Sequence, residues 1–504
     1  MLQRLTIQAF QLIYLAVSGS WSSANTAELM TIVGIYVHAF FLIFAFAFPI
    51  VVLTLEAIGI RRGDEDYIRM AWNGSKLWGI TFAAGAVTGT LVEFGLIVVW
   101  SGSLALIASM AAAPLMLELY AFIIEIVLIG TYLTTFWRFK RRKWGHLLIG
   151  LGVLFGSNLS AYMILAVNAW MQVPWGTGNT VSHLFLPWVP SLGPLVVNPV
   201  KLKLLATTLP IVGSSLLSSP GAFQLLSNFT TDPWIAIFNP EVYATYLHNL
   251  FAALIITSFL ASSYFSYKII KRVGDERYSW KGLRVTFLVA TVASFLQAFA
   301  GDFQGRELYL YQRNIFDATE GIPAKGGYDP IMSILLYGNL NHFFPGTNYL
   351  SSLLPQGDVL GQLTIASTNT YAPVLHLLYY TMVISGVILI ILGIGYFGLY
   401  STTIKKIVQS LLRIREETFV LYGSFAGAFL SILAGITGWA TRELGRHPWT
   451  VYGVVTYNDV VNSRIITPLF TGAIILLEIG IFLAGLWGIY MIFFKNLKRG
   501  GGSH

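Results

Sequence analysis

A chain of 504 residues that is 55% hydrophobic and only 11% charged, with a mean hydropathy of +0.68, falls outside the soluble globular range and reads as an integral membrane protein. The absence of cysteine excludes disulfides, thiolate-held iron–sulfur clusters and thiolate-ligated haem. The formal net charge of +8 would suit nucleic acid, but the basic residues are sorted by topology and not clustered for such a partner.

Residues 1–29 lack the charged, apolar and cleavage regions of a secretory signal and read as an interfacial segment. Apolar runs long enough to cross about 30 Å of hydrocarbon follow, and only helices close their own backbone hydrogen bonds within one span. Nine helices are predicted, at 30–58, 77–108, 113–137, 146–170, 243–270, 282–301, 371–398, 417–440 and 465–494. The expected fold is therefore all-α, a polytopic membrane bundle. Four helices share 30–170, two occupy 243–301 and three occupy 371–494. The long segments 171–242 and 302–370 separate these groups and are predicted to be extracytoplasmic loops. Residues 495–504 form a tail ending in GGGSH, which resembles the start of an expression tag.

With the amino terminus outside, the inward segments 59–76, 138–145, 268–284, 399–416 and 495–504 hold 22 of the 31 lysines and arginines. That asymmetry is the positive-inside pattern and predicts a cytoplasmic carboxyl terminus. RFKRRK (138–143) is accordingly an anchor at the lipid headgroups.

A charge at mid-bilayer costs at least ~2.5–3.5 kcal/mol on insertion scales, so the ionisable residues within spans are informative: His38, Glu56, Glu93, Glu118, Glu125, His248, His376 and Glu478. Glu56 and Glu478 receive no role. Glu118 and Glu125 are two turns apart and share one helix face. At ~1.5 Å per residue they lie roughly 8 and 18 Å below the outer surface. In GSNLSAYMILAVNAWMQVP (156–174), Ser157 reaches about the depth of Glu125, so Ser157, Glu125 and Glu118 form a candidate proton ladder from the inner side. Serine and asparagine in spans also glue helices together, and a lone histidine is often a hydrogen-bonded packing residue. Met382 alone would be core filler, whereas paired with His248 it would give six-coordinate, electron-transferring haem.

KLWGITFAAGAVTGTLVEFGL (76–96), AFIIEIVLIG (121–130), GSNLSAYMILAVNAWMQVP, NPEVYATYLH (239–248), GDFQGRELYLYQ (301–312) and GRHPW (445–449) resemble, in order, segments of subunit I of the cytochrome bd quinol oxidases. The resemblance runs from about residue 30 to 494 and implies a prokaryotic cell membrane. It implies that His248 and Met382 ligate a low-spin haem b. His38 would ligate the oxygen-reducing site, which holds one or two further high-spin haems of b or d type. Glu118 would be an acidic ligand there, Glu125 a proton-path acid and Glu93 a further acid near the haems. Arg446 and Trp449 would support haem at the outer surface, and Asp302, Gly305, Gln312 and Glu320 would begin a quinol-binding loop. Ile436 stands where the resemblance places a glutamate ligand, with Glu443 two turns beyond as a substitute. Tyr380 stands in place of an arginine, and Ile315 in place of a quinol-loop lysine, a role open to Arg313.

The function expected is quinol oxidation coupled to reduction of dioxygen to water, without a proton pump, with protons drawn from inside through Ser157, Glu125 and Glu118. The alternative is a haem-binding, non-catalytic paralogous partner of such an oxidase. Either reading expects a second membrane subunit, subunit II-like or a paralogue of this chain, and no nucleic acid.

Overall fold

The computed structural model describes residues 22–138, 143–174, 234–354, 356, 359–453 and 455–493. Most of the expected interfacial segment and of the 171–242 loop, and the tail after 494, lie outside the described residues. Among those residues, nine helical segments are long and apolar enough to cross a membrane, and each carries one of the predicted spans. The first is broken into α1 (Ser23–Phe46) and α2 (Phe48–Arg62) at Ala47. Pro49 lies just beyond the break and lacks the N–H that a continuous helix would use. The others are α3 (Glu65–Val98), α4 (Ala112–Thr135), α5 (Lys143–Gln172), α6 (Val242–Ile270), α7 (Glu276–Tyr311), α9 (Val359–Tyr396), α10 (Glu416–Arg446) and α11 (Pro468–Phe493). A short helix, α8 (Arg313–Glu320), follows α7 directly.

Several helices outrun their apolar centres. α3 begins at Glu65 because Asp64 caps it, accepting from the Asp66 amide, and Gly63 ends the preceding helix in a left-handed conformation. It closes at Val98, and residues 101–110 form a separate helix where the hydropathy pattern predicts one continuous span. α7 continues to Tyr311, so GDFQGRELYLYQ is helical where a loop is expected, held partly by an Asp302–Arg306 pair at 2.8 Å. α9 likewise starts before residue 371 and carries Pro373 in its interior. Between α8 and α9 lies a two-residue antiparallel pairing of Gly327–Tyr328 with Phe343–Phe344.

The helices pack as two groups. α1 and α3 pack together and each against both α2 and α11, with α4 and α5 paired alongside; α6, α7, α9 and α10 form the second group. α6 joins them through α5, α1 and α2. A single apolar cluster crosses that junction and includes Phe48, Trp78, Tyr132, Phe259, Phe287 and Tyr396.

Candidate haem and proton sites

The α1–α3 interface fixes His38. Its Nδ1 lies 3.2 Å from the Thr88 hydroxyl, which in turn lies 2.9 and 3.1 Å from the Ala84 and Gly85 carbonyls of its own helix. The single hydroxyl hydrogen goes to those carbonyls, so Thr88 accepts from His38. Nδ1 is thereby the protonated nitrogen and Nε2 keeps its lone pair, the form in which imidazole ligates a metal. Gly89 packs against the same ring, and a Cβ there would stand 2.9 Å from its Cε1.

In the second group, His248 on α6 faces Gly301 of α7, and its Nδ1 is buried without a hydrogen-bond partner among the described residues. Met382 on α9 meets Gly438 of α10, where a Cβ would lie 2.6 Å from the sulfur. α10 packs on both α6 and α9. A thioether on one helix and an imidazole with an unpaired buried nitrogen on another supply the donor types of a six-coordinate haem iron, and the Ala300 carbonyl beside His248 can orient its ring.

Arg446 adds a third orphan. It is buried, donates through Nη2 to Glu443, and leaves Nε and Nη1 without partners. With Tyr457 beside it, a buried guanidinium that keeps donors beyond its Glu443 pair suits an anionic group such as a haem propionate. Trp449 is fully buried and donates to Thr364, so it supports this region through packing. Ile436 is 48% exposed and offers only its carbonyl, to Tyr36. Glu443, the other carboxylate candidate on that helix, sits where its charge reaches Tyr36 of α1 and Glu28.

The carboxylates of α4 differ from the expected ladder in one respect. Glu118 accepts from Ser160 at 2.9 Å, whereas Ser157 donates to the Val153 and Leu154 carbonyls of its own helix. Glu125 is 4% exposed, its Oε1 has no partner, and Gly156 packs against its Cβ. Glu93 is exposed on α3, close enough to Glu118 for their charges to interact. The asparagines of the same stretch are satisfied as helix glue: Asn158 bonds Phe46 and Tyr246, and Asn168 accepts from Arg442, which also pairs with Glu241 at 2.7 Å.

Glu56, Tyr132 and His146 form a buried cluster toward the opposite, lysine- and arginine-rich end. Glu56 accepts from the Tyr132 hydroxyl at 2.7 Å and lies 2.6 Å from His146 Nδ1, while His146 Nε2 lies 3.0 Å from the Tyr132 carbonyl. A carbonyl can only accept, so Nε2 carries a hydrogen, and one further proton is shared between Nδ1 and the carboxylate. A cavity of about 400 Å³ reaches this cluster, lined by Glu56, Glu65, Phe136, Trp137, Lys143 and His146. Its one signal in the sequence is an acid, Glu56, within an apolar span.

At the other end, α8 is buried throughout. Arg313 donates to Asp317 at 2.9 Å and stacks its guanidinium 4.3 Å from the Tyr309 ring, so it is held inside the protein. Glu320 accepts from the Tyr380 hydroxyl at 3.1 Å. Burial pushes Glu320 up to about 7, and does the same to Asp317 despite the adjacent Arg313. Gln312 donates to the Gln172 carbonyl. Of the expected quinol-loop residues, Gln312, Arg313 and Glu320 thus gather inward, while Asp302 pairs with Arg306 on α7 and Gly305 meets open space.

A family model described as "Cytochrome bd terminal oxidase subunit I" matches residues 27–500. The chain is 24% identical over 487 residues to the cytochrome bd ubiquinol oxidase subunit 1 of Bacillus subtilis (strain 168), covering 92% of this chain and 91% of that one. It is 35% identical over 176 residues to the cytochrome bd-II ubiquinol oxidase subunit 1 of Escherichia coli (strain K12), 34% of each chain. Its fold resembles the bd oxidase structure from Geobacillus thermodenitrificans with a TM-score of 0.70 at 22% identity, over 94% of this chain and 99% of that one.

Proposed function

Because this chain belongs to the cytochrome bd terminal oxidase subunit I family, whose members use haem, we propose that it is a catalytic subunit that oxidises quinol and reduces dioxygen to water. The observation that carries this reading is His38. Its tautomer is set by Thr88, its Nε2 keeps a lone pair, and Gly89 gives the imidazole the space it occupies. A histidine held in the metal-binding tautomer supplies a haem ligand beyond the His248–Met382 pair.

In this reading His248 and Met382 hold a low-spin haem b, and His38 holds a high-spin haem, b or d, with Glu118 or Glu443 as carboxylate partners. Bound haem supplies one-electron transfer and the site of dioxygen reduction. Arg446, held by Glu443 and beside Tyr457, offers its remaining donors to a propionate. The basic end faces the cytoplasm, so the Glu56 cavity admits protons to His146 and Tyr132. Glu125, Ser160 and Glu118 then carry them along α4 and α5 toward His38, with no pump. Glu93 is a further acid at that level. Quinol donates at the opposite face, near α8, and a second membrane subunit covers part of the bundle.

The test is spectroscopic. Purified protein should show a low-spin haem together with a high-spin population that binds carbon monoxide. His38→Ala should remove the second and leave the first. Wild-type protein containing no carbon monoxide-reactive haem would instead make this chain the non-catalytic partner.

A further inference from the structure

His376 lies on α9 between Val374 and Leu377, which are 47% and 66% exposed on a membrane-spanning helix. The imidazole is itself exposed. Its Nδ1 stands 2.9 Å from the Thr319 carbonyl of α8, and because a carbonyl only accepts, Nδ1 carries the hydrogen. In the neutral ring, Nε2 is then a lone-pair acceptor, and it has no hydrogen-bond partner among the described residues. The ring is held rather than loose. Gly321, at φ +71°, passes so close that a Cβ would lie 2.9 Å from the ring, and Tyr380 stacks obliquely at 4.6 Å. Tyr380 donates to Glu320, so acceptor nitrogen and carboxyl belong to one cluster.

An oriented acceptor on the exposed face of a membrane-spanning helix has no partner from the chain. A ligand that arrives laterally through the bilayer and brings a hydroxyl supplies the missing bond. We propose that His376 Nε2 binds one hydroxyl of a quinol entering from the lipid between α8 and α9, and takes its proton. This deepens the proposed function and rests on its quinol-donor reading. Each quinol gives up two protons and two electrons. One O–H bond breaks as Nε2–H forms, the second proton goes to the Glu320 carboxylate, and the two electrons leave one at a time to ferric haem, the family's cofactor, which is reoxidised between the two transfers. Met382 is six residues further along α9, about 9 Å along its axis. The titratable group against the His376 ring is Tyr380 of its own helix, and Tyr380 in turn interacts with Glu320 of α8, Tyr379 and, beyond α8, Asp329.

The test compares the purified complex with His376→Asn and His376→Gln. Asparagine retains a donor for Thr319 and removes Nε2, whereas glutamine can accept a hydrogen bond but cannot take the proton. The probes are ubiquinol-1 and menaquinol-1, used with the oxidised protein for haem reduction and with the anaerobic, dithionite-reduced protein for binding by tryptophan quenching. With wild-type haem content and a wild-type dithionite-reduced spectrum, His376→Asn should weaken quinol binding about 10-fold and slow quinol-driven haem reduction about 100-fold. His376→Gln should bind quinol nearly normally yet lose the pH-dependent step in the reduction rate. Wild-type binding, rate and pH profile in both variants would overturn the proposal while leaving the quinol-donor reading intact. A wild-type protein reduced by dithionite but by neither quinol would overturn the donor reading and this inference with it.

Discussion

Thr88 accepts a hydrogen bond from His38 across the α1–α3 interface, and its own hydroxyl hydrogen is directed to the helix behind it. This makes Thr88 the residue that determines which imidazole nitrogen is free. Thr88→Val keeps the volume and removes the acceptor. Residues in this orienting role typically contribute roughly 10–100-fold to metal affinity. The high-spin, carbon monoxide-reactive haem should therefore fall about 10-fold in occupancy or affinity while the low-spin band is retained. Equal loss of both bands would mean that the substitution disturbs packing.

Gly438 should be as sensitive as Met382 itself. A Cβ at 438 would stand 2.6 Å from the sulfur, well inside van der Waals contact, so Gly438→Ala must push the thioether aside. The low-spin haem should lose its sixth ligand, become partly high-spin and shift to lower potential, since methionine ligation raises it. Redox titration of the α-band of the reduced haem reads this out. An unchanged potential would separate Met382 from the haem.

The nine spans were legible because an apolar run as long as a bilayer is thick leaves no polar face to turn toward water, and only hydrocarbon accommodates it. Helix ends were not, because the first turns of α3 and the last of α7 are polar and held by capping and ion pairs such as Asp302–Arg306, to which hydropathy is blind. Among the candidate site residues, His38 and His248 stood out as ionisable groups within apolar spans, whereas Met382 alone reads as core filler and drew notice only when paired with His248. The choice between Ser157 and Ser160 did not stand out, because residues three apart share a helix face about one turn from each other, and only packing fixes which of them meets Glu118. The Glu56–His146 contact was equally hidden: its partners are 90 positions apart, and each alone resembles an ordinary polar residue near a span end.

Glu320 carries a pH dependence with a definite sign. Its carboxyl is raised from 4.5 to about 7 by burial, so the folded protein holds a proton that the unfolded chain releases between those values. The associated stability is fully present below about pH 4.5 and is lost as pH rises through about 7, on the order of 3 kcal/mol in all. Asp317, raised from 3.8 to about 7, acts in the same direction. Thermal unfolding in detergent should show the midpoint falling between about pH 5 and 8, and Glu320→Gln should flatten that slope. A midpoint rising across this range in the wild type would contradict the assignment.

Glu56 is expected to combine a structural and a transport role. Glu56→Ala would strand the Tyr132 hydroxyl and His146 Nδ1 in a buried site, and breaking such a network costs roughly 3–5 kcal/mol. Glu56→Gln retains the geometry but cannot shuttle the shared proton. The alanine variant should show a clearly lower unfolding midpoint. The glutamine variant should fold normally and slow proton uptake during dioxygen reduction, read with a pH dye in lightly buffered solution. Normal uptake in the glutamine variant would confine the cluster to a structural role.

Ser157 and Ser160 provide the sharpest comparison, because they are three residues apart on α5 and chemically identical. Ser160 donates to Glu118 at 2.9 Å, and Ser157 turns back on Val153 and Leu154. Ser157→Ala removes a bond that is local to one helix and should alter turnover by less than about twofold, since a serine that bonds back to its own helix adds little. Ser160→Ala leaves Glu118 without its donor, where hydrogen bonds to charged groups contribute ~1.5–3 kcal/mol. Steady-state oxygen consumption should therefore fall severalfold in Ser160→Ala alone. Should Ser157→Ala prove the more damaging of the two, water would have to link Ser157 to Glu125, and the path would run as the expected ladder does.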